Sequence, residues 1–154
     1  MSAHAERIRP VALCVLRRDG RMLVMEGKDP LSREPFLRPL GGTVEFGERA
    51  EEAVRREILE ELGEEIGSPR RLGVLENIFH YGGRTNHEIV FVFEAEFRDP
   101  GVYEREHLEA VEADGTPLKV RWVESAAIGA QGPPLYPAGL DALVGLAPAP
   151  GSGI

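Results

Sequence analysis

Hydrophobic and polar positions divide the chain into short alternating runs around one helical stretch. Ile8 to Leu16 is almost continuously apolar, and Arg21 to Met25 follows after an Asp19-Gly20 turn signal, which predicts two strands. A loop rich in Pro and charge is expected from Gly27 to Pro35. It leads into an irregular glycine-rich stretch with short extended pieces, Phe36 to Gly47. Nothing between Glu48 and Leu62 breaks a helix, and Gly63 is placed to stop one. Ala50, Val54, Ile58 and Leu62 recur at four-residue spacing and form its expected packing stripe.

Leu72 to Tyr81 and Glu88 to Phe97 read as strands joined by a loop, Gly82 to Asn86. In the second, Ile89, Phe91, Phe93, Ala95 and Phe97 share one face while Val90 and Val92 lie on the other, so its middle is expected to be buried on both sides. An acidic stretch, Tyr103 to Asp114, precedes a turn at Asp114-Gly115 and a strand from Leu118 to Val123. A closing helix is expected over Ala138 to Leu146, followed by a Pro/Gly-rich tail, 147–154, expected to be disordered. Mixed strands around a central helix, with a second helix at the end, indicate an α/β or α+β sandwich in a single domain over residues 1–146.

Composition narrows the function classes. A chain of 154 residues is long enough to bury roughly 68–70% of its unfolded surface without disulfides or a structural metal. Cys14, the sole cysteine, lies in an apolar run and reads as a core residue, which points to a reducing compartment, with the cytoplasm as default. The N-terminal stretch lacks the pattern of a signal peptide, and no apolar run approaches the roughly 20 residues of a membrane span. The formal charge of −8 disfavours nonspecific nucleic-acid binding. An acidic protein still acts on a phosphate substrate where metal cations supply positive charge.

The central helix invites that chemistry. Glu57, Glu60, Glu61 and Glu64 fall on one face, three and four residues apart. Like charges at that spacing repel by a few tenths of a kcal/mol per pair, and near a helix C-terminus they also oppose the macrodipole. A divalent cation with a preference for oxygen ligands resolves the conflict. A solvated acidic face balanced by Arg55 and Arg56, with Arg56 pairing Glu60 or Glu52, is the plainer reading of the helix alone. Gly41-Gly42 ahead of the helix permits close backbone approach, and Glu48 suits the positive end of the dipole.

Gly42, Glu48 and then Arg56-Glu57-Ile58-Leu59-Glu60-Glu61-Leu62-Gly63 stand at the spacing of the Nudix signature. The chain resembles the Nudix hydrolase family, the MutT-like pyrophosphohydrolases, and departs from the motif only at Glu64, where an aliphatic residue is usual. Arg38 to Glu45 is similar to the family's lead-in. The resemblance implies an α/β/α sandwich with a mixed β-sheet across about residues 7 to 146. It also implies Mg²⁺ or Mn²⁺ bound by Glu57, Glu60 and Glu61, with the Gly42 carbonyl as a further ligand and Glu48 and Arg56 supporting the loop–helix geometry. Glu64 implies either a more exposed helix end or extra charge at the site.

The implied reaction is hydrolysis of a diphosphate linkage in a nucleoside diphosphate derivative, NDP-X to NMP and P-X. Metals neutralise the bridge, lower the pKa of a bound water and align the attack. The general base is a carboxylate on the helix, Glu57, or one outside it, Glu88 at the start of a central strand; Glu94 and Glu96, on the same strand face, read as solvated. Arg38 is a candidate for a phosphate contact or for an ion pair, and Tyr81 or Phe79 for stacking on a base. Trp122 reads as structural, and His80 and His87 lack the spacing of a zinc site. The alternative from another class is a nucleotide-binding sensor of the same fold without turnover. An isopentenyl diphosphate isomerase would need a catalytic cysteine, for which Cys14 is wrongly placed. A homodimer is common among relatives but leaves no signature in this sequence, and the substrate is not identified by it.

Overall fold

The fold was obtained as a computed structural model that describes residues 6–129 and 132–146. The tail expected to be disordered, 147–154, lies outside the described residues. At the centre runs β1 (Ile8–Val15). Its side chains alternate between two cores: Ala12 and Cys14 face one, Val11, Leu13 and Val15 the other. Burial on both faces explains why this strand is an unbroken apolar run.

Two β-sheets share these cores. In the first, β1 lies antiparallel to β5 (Leu40–Thr43) and parallel to β7 (Arg84–Glu94), and β6 (Arg70–Tyr81) pairs antiparallel with β7 at the edge. The β6–β7 connection is shorter than the sequence suggested. Tyr81 already pairs with Arg84 across a two-residue turn, Gly82-Gly83, in which both glycines have positive φ. This is the geometry that matches strand twist in a tight hairpin. In the second sheet, β2 (Arg17–Arg18), β3 (Arg21–Lys28), β9 (Pro117–Glu124) and β8 (His107–Val111) follow one another, and β4 (Pro35–Arg38) also pairs with β3. The architecture is therefore mixed α+β, with parallel and antiparallel pairs in one sheet.

The acidic stretch Tyr103 to Asp114 contains two elements: the end of a 3-10 turn at Pro100–Glu104 and all of β8. Only Leu108 and Ala110 of β8 are buried, and its exposed partners Glu109 and Val111 mask the alternation.

Helix α1 (Ala50–Leu62) begins two residues later than its sequence pattern suggests. Glu48 is held in the preceding turn, where its N–H donates to Glu45 O and its carboxylate accepts from Glu45 N. The helix ends as expected at Gly63, whose φ of 70° is the left-handed cap conformation and whose N–H donates to Leu59 O. Its fully buried residues are Ala53, Val54, Ile58 and Glu61; Ala50 and Leu62 pack only partly against the same core. The closing helix α2 (Leu140–Val144) is shorter than expected because Gly139 and Gly145, both at positive φ, bound it. Leu140 and Val144 enter the second core, so α1 and α2 cover opposite faces of the β1-containing sheet. Among the described residues no helix is long and apolar enough to cross a membrane.

Candidate active site

The register of β1 against β5 sets Gly41 opposite Leu13 and Gly42 opposite Ala12. Both glycines are required by proximity. A Cβ on Gly41 would stand 2.0 Å from Ala12 O, and one on Gly42 would stand 2.5 Å from Glu57 Cδ and 2.6–2.7 Å from its two oxygens. Thus the Glu57 carboxylate rests on the bare backbone of Gly42. Here a glycine-rich strand and the helix carboxylates meet with nothing between them.

Arg56 organises the carboxylates around that junction. Its Nε donates to Glu48 Oε2 at 2.7 Å and its Nη2 to Glu48 Oε1 at 3.0 Å, a two-pronged pairing for which a planar guanidinium is suited. Nη1 donates to Glu57 Oε1 at 2.9 Å and to Glu60 Oε2 at 3.2 Å, while Nη2 also reaches Thr43 O at 3.1 Å. One cation therefore ties the loop, the helix start and two motif glutamates together. The Arg56 hydrogen bonds hold the Glu48 carboxyl below its usual range, and Glu48 in turn holds the Arg56 guanidinium's pKa well above its ordinary value. Glu52, an alternative partner by spacing, instead accepts from Arg49 N–H at the helix start.

Glu61 has a different environment. It is only 8% exposed, and its Oε1 is buried without a hydrogen-bond partner. Burial, followed by the nearby Glu57 and weakly by Glu112, pushes its carboxyl up to about 8, against the opposing effects of Arg38 and a Gly41 backbone hydrogen bond. An orphaned carboxylate oxygen is costly in a folded protein. Its position next to Glu57 fits a cation-binding site. The carboxylates are not gathered round one point in this structure: no set of three His, Cys, Asp or Glu side chains is so arranged among the described residues, and Arg56 holds Glu57 and Glu60.

Beside this junction opens a cavity of about 1070 Å³, lined among others by Arg38, Phe36, Tyr81, Glu88, Glu112 and Tyr136. Arg38 and Glu112 connect it to the helix, since both charges are felt by Glu61. Of the two readings for Arg38, the ion pair is not formed: no carboxylate lies within 4.0 Å of it among the described residues. Tyr81 and Phe79 line the cavity and stay out of the core, and Tyr81 meets Phe36 edge-on at 6.3 Å. Glu88 is buried on the cavity floor, where Arg9 donates to its Oε2. No hydrogen bond or ion pair joins it to the helix carboxylates. Sequence reasoning missed Arg9, Phe36, Glu112 and Tyr136. Only the fold brings them from four separate segments to one cavity.

Two expectations are corrected. Glu94 is not solvated: Arg17 Nε and Arg70 Nη2 donate to its two oxygens at 2.7 and 2.8 Å, and its side chain is 20% exposed. Glu96 is exposed as expected. Glu64 neither exposes the helix end nor joins the site, because its side chain is largely covered and accepts from Arg105 Nη1 at 3.3 Å. Trp122 packs against Phe97 and Tyr103 as a structural residue, and Cys14 is buried, its thiol pushed up to about 12 by burial.

The NUDIX domain model matches residues 6–137, most of the chain and the whole of the Gly42–Glu61 junction. The chain belongs to the NUDIX family. Among solved structures, it is similar to a MutT NUDIX hydrolase from Burkholderia pseudomallei, at 28% identity over 90% of this chain and 98% of that one, with a TM-score of 0.65. It also shares its fold with the MutT protein from Methanosarcina mazei Go1, at 19% identity over 86% of this chain and 88% of that one, with a TM-score of 0.59. Membership of the NUDIX family, together with this fold, supports a pyrophosphohydrolase in general terms, and NUDIX enzymes generally use divalent metal ions.

Proposed function

We propose that this NUDIX protein hydrolyses a diphosphate linkage in a nucleoside diphosphate derivative, NDP-X to NMP and P-X, with Mg²⁺ or Mn²⁺. The observation that carries the reading is the buried, unpartnered Glu61 oxygen beside a Glu57 carboxylate seated on Gly42. Glu57, Glu60 and Glu61 would hold the cation, with the Gly42 carbonyl as a further ligand. Bound there, it supplies positive charge against the diphosphate and lowers the pKa of a water. Glu48 and Arg56 keep loop and helix in register, which fixes the backbone from which the carboxylates reach. Arg38 at the cavity mouth pairs with a phosphate, a role for which its guanidinium is available. The proton acceptor is assigned to the helix, at Glu57. Glu57 stands on Gly42 with Glu61 nearby, whereas no hydrogen bond or ion pair among the described residues joins Glu88 to the helix carboxylates.

The test is turnover of a panel of nucleoside diphosphate derivatives with Mg²⁺ or Mn²⁺, with and without chelator, beside a Glu60→Gln/Glu61→Gln variant. Cation-dependent release of a nucleoside monophosphate, lost in the variant, supports the reading and names the substrate. Binding without turnover of any compound replaces it with the sensor alternative.

A further inference from the structure

The cavity floor has an organisation that the hydrolysis reading does not use. Three adjacent strands contribute one polar row: Arg9 on β1 lies in register with Glu88 on β7, which lies in register with Asn77 on β6. The next row inward, Val11, Val90 and Leu75, is apolar and belongs to the core. All three polar residues line the cavity. Glu88 is, with Glu61, one of two buried charged residues among the described residues. Arg9 occupies its Oε2. Among the described residues its Oε1 accepts from no donor and, unlike the Glu61 oxygen, is not sealed off, in a residue that lines the cavity.

The same cavity is lined by a group of aromatic rings. Phe36 stacks on Tyr136 at 5.4 Å with 29° between the rings, and Tyr81 stands edge-on to Phe36. Both tyrosines remain more than two-fifths exposed, an unusual state for packed aromatics that leaves area for a further ring. Aromatic walls bury the faces of a planar heterocycle, and a polar row at the end reads its edge.

We propose that this cavity receives the base of the substrate and that Glu88, aimed by Arg9, selects bases bearing an exocyclic amino group over uracil and thymine. The inference rests on the cavity being the substrate site of the NUDIX reaction above. A carboxylate only accepts hydrogen bonds. It meets the amino group of cytosine, adenine or guanine as a donor, whereas the corresponding carbonyl of uracil or thymine opposes it with a second acceptor. An unpaired acceptor facing a buried carboxylate is penalised far more than a missing contact. Asn77, which carries both donor and acceptor, accommodates the neighbouring group on either kind of ring.

Cytidine and uridine monophosphate differ only along one edge of the base, a 4-amino group and bare N3 against a 4-carbonyl and N3–H. Their binding to the full chain, measured by calorimetry in chelator, reads the selection without any bond to cleave. Wild type is expected to hold CMP about tenfold or more tighter than UMP. Glu88→Gln should bring the two within about threefold, since an amide can turn its NH₂ toward a carbonyl. Tyr136→Ala, at a partly exposed ring, should weaken both ligands alike, and with the wild-type ratio it keeps the test decisive should Glu88→Gln fail to fold. Equal affinities in wild type, no binding of either ligand, or a ratio unmoved by Glu88→Gln overturns the inference. A protein that discriminates CMP from UMP but cleaves no diphosphate loses the hydrolase reading and keeps this one. A protein that cleaves without discriminating does the reverse.

Discussion

Replacing Glu61 by Gln is the perturbation whose size follows most directly from the site. In the cation-free protein the Glu61 carboxyl is pushed from 4.5 up to about 8, mainly by burial. Between those values the native state keeps a proton that the unfolded chain has lost. Stability contributed by this group is therefore present at low pH and declines as pH rises toward about 8. At ~1.4 kcal/mol per tenfold, ionised Glu61 costs the native state on the order of 5 kcal/mol above that range. Glutamine has nearly the same shape and no charge to desolvate. The stability of Glu61→Gln relative to wild type should therefore rise by about 4 kcal/mol between pH 5 and pH 8.5, roughly 10 °C in Tm for a protein of this size. Urea unfolding of both proteins in chelator, across that pH range, measures it. Addition of Mn²⁺ at pH 8 should then stabilise wild type by about 3 kcal/mol at a hundredfold excess over Kd and the variant far less. A wild-type–variant difference that is flat in pH, or that shrinks with rising pH, refutes the reasoning.

Other substitutions test other parts of the junction. Gly42→Ala places a methyl where the Glu57 carboxylate now rests; turnover should fall about 100-fold while circular dichroism stays native, and unchanged kcat would remove Glu57 from the site. Glu48→Gln breaks the two-pronged pairing with Arg56 and should cost about 2 kcal/mol near pH 7. Because the Glu48 carboxyl is held low, that stabilisation is present above pH ~4.5 and fades as pH falls through the native value, so acid titration of both proteins should converge. Arg38→Ala should raise KM about tenfold with a smaller effect on kcat; an equal loss in both would place Arg38 in the transition state.

How far the sequence discloses this molecule depends on the range of the interaction that fixes each part. The end of α1 at Gly63, the Asp19-Gly20 turn and the existence of the β6–β7 hairpin arise from contacts a few residues apart, and patterning reveals them, though not the helix start or the turn length. The proximity of Gly42 to Glu57 is also legible, because motif spacing encodes it. β8 escaped because two buried small-to-medium residues in a stretch with five acidic ones make a weak alternation, and its strand character comes from pairing with β9. Glu94 read as solvated, and Glu64 as exposing the helix end or charging the site, for a similar reason: their arginine partners, Arg17, Arg70 and Arg105, lie 24 to 77 positions away. The cavity was least visible of all. Arg9, Phe36, Glu112 and Tyr136 carry no local signature, and only the closing of the two sheets brings them to a common wall.

The single guanidinium at the centre of the carboxylates gives the junction an internal counter-ion. Arg56 Nη1 bonds both Glu57 and Glu60, so part of the carboxylate charge is balanced from within the chain. A cation held by Glu57 and Glu60 would compete with Nη1 alone, since Nε and Nη2 are bonded to Glu48. The Glu48 pairing, which ties loop to helix, involves neither motif glutamate. Chelation should therefore silence the enzyme without unfolding it, and readdition should restore it within the time of mixing.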